Sequence, residues 1–278
     1  MLRFLSNSKI RNKWSFESVS LIWRILYAEP HYIVGECRDA EKKIASFFCL
    51  DAVTGSVYWR EKYFDEPWWI GIEAASNGIV FFHGYAKPDM PEHKGIEACD
   101  IFKGHTLWSN PNLVFWFMSG DKICAYRDSF EKRTAYLIDA HTGEIIEEEI
   151  DANMLQRLKE ENIVRQNAIL PELLEISADA KYVSNLLGKK WRNILPRSIE
   201  YLENSEYWIT GFYTREEGRK EVSPHLGIIK KRIGNIVYSM KLGEHYPAPV
   251  PDLFFMIHET VYCVEHQHSL HAVELWKS

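Results

Sequence analysis

The chain lacks the features that usually reveal an enzyme, a disulfide-rich domain or a membrane protein. It contains no recognisable catalytic motif, and no hydrophobic run approaches the roughly 20 residues that cross a bilayer. Its five cysteines are odd in number, show no Cys-x-x-Cys spacing and include no adjacent pair. Because several lie in apolar strand patterns, as in Phe47-Phe48-Cys49-Leu50, we expect buried free thiols rather than disulfides.

Basic charge is also scarce. The chain has 33 Lys and Arg against 39 Asp and Glu, a formal net charge of −6. No broad positive field is therefore available for phosphate backbones, and nucleic acid is not an expected partner. The first residues, Met1–Lys9, lack the apolar stretch of a signal peptide. We therefore expect a cytoplasmic protein with no membrane partner.

What the chain does contain is an internal repeat. An aspartate is followed four positions later by a glycine in three fragments, Cys49–Gly55, Ala98–Gly104 and Leu137–Gly143, each between apolar segments. Aspartate accepts hydrogen bonds from backbone N–H groups just ahead of it, and glycine takes the positive φ of a tight reversal. We interpret Asp51, Asp100 and Asp139 as turn formers rather than metal ligands or catalytic acids.

Aromatic residues repeat along with these turns. Trp59 and Trp108 each follow a turn glycine by four residues, and we predict that both are buried between sheets. A second set of aromatic residues recurs at the start of the next strand. We predict that this strand lies nearest the central axis of the fold and that most of these side chains pack in the apolar core. The members of this second series are Trp23, Trp69, Trp116, Tyr201 and Phe255. The spacing of 40–50 residues is typical of four-stranded propeller blades.

The sequence therefore predicts an all-β fold, a β-propeller with five blades of four antiparallel strands. Six blades are the alternative. Residues 1–278 would form one domain, closed by pairing the strand around Trp14 with the strand His268–Trp276. Four strands are predicted in one period: Trp69–Glu73, Gly78–His83, Gly95–Asp100 and Thr106–Trp108.

One stretch, 148–197, exceeds the repeat. Apolar residues at helical spacing predict a mainly helical insertion there, with Pro171 in a first turn and Gly188 as a terminator. A degenerate extra blade would fit the same length.

The segments Leu50–Trp59 and Ile138–Gly143 resemble the tryptophan-docking repeat of the quinoprotein-like propellers. In addition, Ile22–Ile25 and His268–Leu275 are similar to a family of uncharacterised bacterial proteins of this size. The first resemblance implies a propeller in which tryptophan packs between blades. The second brings no known activity with it. Quinone-dependent members have larger rings, a calcium site and usually a pair of adjacent cysteines. This chain has no adjacent cysteine pair and is too short for such a ring, so no cofactor is expected.

Two kinds of function fit this fold. The leading hypothesis is a non-catalytic binding or scaffolding propeller for a protein or a small carbohydrate-like ligand. The alternative is a hydrolase acting on a carbohydrate-like ligand, with carboxylates near the axis drawn from Glu73, Glu203 and Glu259. A stacking site for a flat or sugar-like ligand would use Trp68, Trp69, Arg24 and His258.

Four histidines near the C-terminus suggest a zinc site as a further alternative. They are His258, His266, His268 and His271. In an extended strand His266 and His268 would share one face and His271 would point to the other. The spacing matches no known zinc motif, so no metal is expected there.

Overall fold

The computed structural model describes residues 10–86, 92–161, 168–174, 178–195 and 197–275. The described residues form 22 strands and two helices. The strands build five antiparallel sheets of four or five strands each. This is the predicted all-β, β-propeller class, and five sheets are consistent with the predicted number of blades. The chain divides into two compact units, residues 19–166 and residues 1–18 with 167–278.

The strand β1 (Arg11–Glu17) belongs to the second unit. The unit 19–166 contains three four-stranded sheets in simple sequence order. The first sheet consists of β2 (Leu21–Ala28), β3 (Tyr32–Asp39), β4 (Ile44–Asp51) and β5 (Val57–Lys62). The second consists of β6 (Ile70–Ser76), β7 (Ile79–Tyr85), β8 (His93–Asp100) and β9 (Thr106–Asn110). The third consists of β10 (Val114–Ser119), β11 (Lys122–Asp128), β12 (Arg133–Asp139) and β13 (Ile145–Glu148).

Apolar cores join these three sheets. Phe47 of the first sheet packs with Val80 and Phe82 of the second. On the other side, Phe81 of the second sheet packs with Ile123 of the third. Successive residues of β7 therefore enter two different cores, as the alternation of side chains along a strand requires. The second sheet is held on both faces.

The predicted aspartate turns are present. In the turn after β12, the Asp139 carboxylate accepts hydrogen bonds from the backbone N–H groups of His141 at 2.9 Å and Thr142 at 2.8 Å. The turn then closes at Gly143, whose φ is +73°. Asp51 and Asp100 cap their turns in the same way, which confirms their assignment as turn formers.

The tryptophans that follow these turns pack against the neighbouring sheet, as predicted, but they are only partly buried. Trp59 lies against Gly104 in the turn of the second sheet, and its Nε1 donates to the Ile101 carbonyl at 2.8 Å. Trp108 repeats the arrangement one sheet further on, against Gly143, and donates to the Ala140 carbonyl at 3.0 Å. Each ring covers the next turn, so one face stays near the surface.

The second unit contains two sheets that each gain a short fifth strand. One has the order β15 (Glu172–Leu173), β16 (Glu200–Glu203), β17 (Tyr207–Thr214), β18 (Ser223–Lys230), β19 (Asn235–Lys241). The other has the order β1, β22 (Ser269–Glu274), β21 (Thr260–Glu265), β20 (Phe254–Ile257), β14 (Ala168–Ile169). The pairing of β1 with β22 confirms that the N-terminal strand completes the C-terminal sheet. Trp276 lies outside the described residues.

The predicted helical insertion is present in the stretch 148–197. It contains α1 (Ala152–Glu161) and α2 (Ala178–Gly188), and the latter ends at the predicted terminator. Val183, Leu186 and Leu187 of α2 are buried. The prediction for Pro171 is wrong: it precedes β15 rather than a helix, because the segment pairs with β16. Residues 162–167, 175–177 and 196 of the insertion lie outside the described residues.

The second aromatic series is not core. Trp23 is 69% exposed, and Trp69, Trp116, Tyr201 and Phe255 are partly buried. Trp23 and Trp116 each lie at a β-bulge, where an extra residue leaves the regular alternation of the strand. Trp69 precedes β6 altogether.

All five cysteines are free and buried, as predicted. Among the described residues, neither helix has the length and apolar character needed to cross a membrane.

Candidate functional site

Three residues able to bind a metal converge in the second sheet. Glu73 lies on β6, His83 on β7 and His93 at the start of β8. Glu73 occupies a β-bulge between Ile72 and Ala74 of β6. His83 occupies an irregularity in the pairing of β7 with β8. Bulges redirect side chains, and here they bring residues of three neighbouring strands to one point.

The three side chains meet closely. One carboxylate oxygen, Glu73 Oε2, lies 2.8 Å from His83 Nδ1 and 2.7 Å from His93 Nδ1. The two imidazole rings stack with 3.5 Å between their centroids and 8° between their planes. One ligand atom from each residue lies within 4.8 Å of the others.

These contacts have hydrogen-bond distances but not hydrogen-bond alignment. Within the part of the chain that the structure describes, Glu73 Oε2 and both ring nitrogens of His83 are buried without a hydrogen-bond partner. His83 is only 3% exposed, so water does not solvate it freely. A buried polar group left without a partner costs about 1–3 kcal/mol. The cluster therefore contains buried polar atoms whose hydrogen-bonding capacity is not satisfied.

The electrostatics are those of an ionised carboxylate beside a neutral imidazole. Burial alone would raise the pKa of Glu73, but its contacts with His83 and His93 outweigh burial and lower that pKa to about 2. Burial lowers the pKa of His83, and Glu73 only partly opposes it. At neutral pH, Glu73 is an anion and His83 has a free lone pair.

A second buried carboxylate lies beside the cluster. Glu36, 2% exposed, accepts a hydrogen bond from the Ile72 N–H at 2.9 Å and pairs with Arg38 at 2.6 Å. A Cβ placed on Gly71 would lie 3.1 Å from His83 Nε2 and 3.2 Å from Glu36 Oε2. The imidazole and the carboxylate therefore border one small space, which glycine leaves open.

The same sheet holds a cleft of about 480 Å³. Its walls include the half-buried Trp69 and Tyr85, whose rings meet edge to face with centroids 5.9 Å apart. His83 is also in the wall, so the cluster adjoins the cleft. The polar lining is supplied by Glu66, Lys94, Glu97, Ser109 and Asn110.

The structure places the predicted stacking residues in different surroundings. Trp69 lines the cleft. The ring of Trp68 is approached by the Arg38 guanidinium and the Lys43 ammonium, each 4.9 Å from its centroid. Arg24 donates to the Ile72 carbonyl at 2.6 Å. His258 belongs to the other compact unit and lies exposed in the turn between β20 and β21.

The other predicted acids and histidines do not form a comparable cluster. Glu203 accepts from Lys231 at 2.6 Å, and Glu259 accepts from Asn204 at 3.2 Å. The expected strand geometry around His266 and His268 is wrong, because both lie in the turn before β22. His271 is buried against Glu265 at 3.1 Å. Across the described ranges, Glu73, His83 and His93 are the one group of three possible metal ligands.

Sequence reasoning identified Glu73 as an acid but missed His83 and His93. A signal was present, since the three residues are spaced ten apart, with Glu73 and His83 on two successive predicted strands and His93 two residues before the third. The signal was weak because strand alternation does not reveal where a bulge will redirect a side chain.

Part of the chain matches a protein-family model. A model of a domain of unknown function (DUF4905) matches residues 28–108, which include the whole cluster. No curated protein matches the chain.

Solved structures with a similar arrangement include a eukaryotic initiation factor and the Dos1 propeller. The first is 8% identical, with a TM-score of 0.35, and the match covers 92% of this chain and 55% of that one. The second is 8% identical, with a TM-score of 0.34 and coverage of 91% and 70%. The chain thus spans about half the length of the first structure, and likeness at this level carries no argument about function.

Proposed function

We propose that the protein is a non-catalytic binding module and that the cleft at residues 66–111 is its ligand site, for a small, flat or sugar-like molecule. The observation that carries the proposal is the half-buried Trp69 in a cleft of about 480 Å³. That volume lies within the range of about 300–1,000 Å³ typical of small-molecule sites.

The lining suits a sugar. The C–H groups of a sugar ring pack against aromatic rings, here Trp69 and Tyr85. Its hydroxyl groups need both donors and acceptors. Lys94 and the Asn110 amide nitrogen in the lining are donors, and the Glu97 carboxylate, which also accepts from Thr106, is an acceptor. The hydrolase alternative has less support, because Glu203 is paired with Lys231 and Glu73 Oε2 lies against two histidine nitrogens, at 2.8 and 2.7 Å.

The experiment is a screen of mono- and oligosaccharides by thermal shift, since a ligand that binds only the folded protein raises its melting temperature. A positive ligand should protect tryptophan fluorescence from acrylamide. Trp69→Ala should abolish both effects. The matched control is Trp23→Ala, which removes an exposed tryptophan outside the cleft and should leave binding unchanged. If Trp69→Ala and Trp23→Ala bind equally well, the cleft is not the site.

We also propose that the blades are related to the tryptophan-docking repeat and that the protein works in a reducing compartment such as the cytoplasm. The packing of Trp59 on Gly104 and of Trp108 on Gly143 supports the first. The five free, buried cysteines support the second. Burial raises the pKa of Cys49 to about 12, which keeps that thiol protonated and unreactive.

A further inference from the structure

We propose that Glu73, His83 and His93 bind one divalent transition-metal ion of the zinc type. Each of three adjacent strands supplies one ligand, and the ligand atoms lie within 4.8 Å of one another. Two atoms bound about 2.1 Å from the same tetrahedral ion lie about 3.4 Å apart. The Nδ1–Oε2 distances are 2.8 and 2.7 Å, so the three side chains already meet and need only separate slightly to admit the ion.

The missing hydrogen bonds point the same way. His83 is only 3% exposed. Among the described residues, neither of its ring nitrogens has a hydrogen-bond partner, and neither does Glu73 Oε2. A proton shared between Glu73 and one imidazole would have to align with the N–H direction, which the geometry does not provide. A cation between the three groups would give Glu73 Oε2 and His83 Nδ1 a partner, once one of the two stacked rings turns so that both Nδ1 lone pairs point at the ion.

The repeat itself marks the site as unusual. Glu73 occupies the β-bulge of β6, and the corresponding bulges of β2 and β10 are occupied by Trp23 and Trp116. The neighbouring sheets thus form the same bulge without a carboxylate. A carboxylate at this place is not needed to build the sheet, so the departure from the repeat indicates a ligand.

The donor set selects the class of metal. Mg²⁺ and Ca²⁺ prefer oxygen ligands, whereas two imidazoles and one carboxylate suit zinc and its neighbours. Three protein ligands leave a coordination position for water or another small ligand. Glu36 Oε2 borders the same space as His83 Nε2 without a hydrogen bond to it, so a shift would be needed for it to accept the N–H of a metal-bound His83, as carboxylates do beside such histidines. This inference does not depend on whether the cleft binds a sugar.

The test uses the full chain, stripped with a chelator and dialysed. Zn²⁺ alone is titrated by calorimetry, and bound metal is counted by elemental analysis. Co²⁺, which absorbs visible light when bound by imidazole, reports the ligand environment. One ion per chain is expected. His93→Gln and Glu73→Gln should each weaken Zn²⁺ binding by at least about 100-fold, since even residues that only support metal ligands cost 10–100-fold.

The matched control is the double variant His266→Gln/His268→Gln, which removes two exposed histidines in the other compact unit. It should retain one Zn²⁺ per chain. Circular dichroism checks that each variant is folded, and both single variants replace partly exposed rather than fully buried side chains. The proposal is overturned if the stripped wild type binds no Zn²⁺, or if the folded His93→Gln and Glu73→Gln variants bind it as tightly as the control.

Discussion

The contact between Trp108 and the turn of the third sheet gives a quantitative prediction for Gly143→Ala. Gly143 has a φ of +73°, which costs an alanine about 1–2 kcal/mol. An alanine Cβ would also lie 2.6 Å from Trp108 Cδ2 and 2.8 Å from Cε3, well inside contact distance. The ring must move, straining its hydrogen bond to the Ala140 carbonyl. Overpacking of this kind costs a further 1–3 kcal/mol or so, so we expect a total loss of about 2–5 kcal/mol.

Removing the ring should remove part of that cost. In a Trp108→Ala background, Gly143→Ala should lose only the backbone strain of about 1–2 kcal/mol. The double-mutant cycle should therefore show a coupling of about 1–3 kcal/mol. The free energies come from urea titrations followed by far-UV circular dichroism, since tryptophan fluorescence changes with the mutation.

The matched control is Gly78→Ala in both backgrounds. Gly78 has a φ of +77°, but no atom lies within 4 Å of a Cβ placed there. It should therefore cost the strain alone, whether or not Trp108 is present. Equal losses for Gly143→Ala with and without the indole would show that the ring does not rest on the turn.

Two further predictions concern the second compact unit. Burial, together with the nearby charges of Lys241 and Lys190, lowers the pKa of His225 to about 4 from its ordinary 6.5. Below pH 6.5 the unfolded state therefore binds more protons than the folded state, and the free energy of unfolding should fall by up to about 3 kcal/mol as pH drops from 7 to 4. A His225→Gln variant should show a shallower pH dependence over that window in urea titrations, and an unchanged slope would contradict the burial argument. Deleting residues 1–17 removes β1 and exposes the edge of β22, so the truncated protein should aggregate in light scattering; a monomer of native stability would show that β22 does not need this partner.

The sequence allowed accurate prediction where structure depends on local chemistry. The turns at Asp51, Asp100 and Asp139 follow from side-chain capping and a positive φ at glycine, both set within five residues. The four strands of the second sheet were placed within a few residues because their apolar runs and turn signals are clear.

Prediction failed where a single extra residue changes the direction of a side chain. The aromatic repeat aligned Trp69 with Trp23 and Trp116, whereas the bulges align Glu73 with them. A bulge leaves no composition signal, so the meeting of Glu73 with His83 and His93 was not visible. His266 has a φ of +49°, so a pattern that suggested a strand became a turn.

The tryptophan that covers the following turn also determines where this chain can be divided. A fragment cut after β9 ends at a sheet boundary, but it would leave Trp108 without Gly143 beneath it and without the Ala140 carbonyl as an acceptor. Each contact therefore crosses a sheet boundary: the glycine lies 45 residues beyond Trp59 and 35 residues beyond Trp108. Fragments meant to fold alone, and blade transplants between such proteins, should be cut beyond that glycine. A gene duplication that copied one whole sheet would also have to copy the turn of the following sheet, because the last tryptophan of the copied sheet packs on that turn.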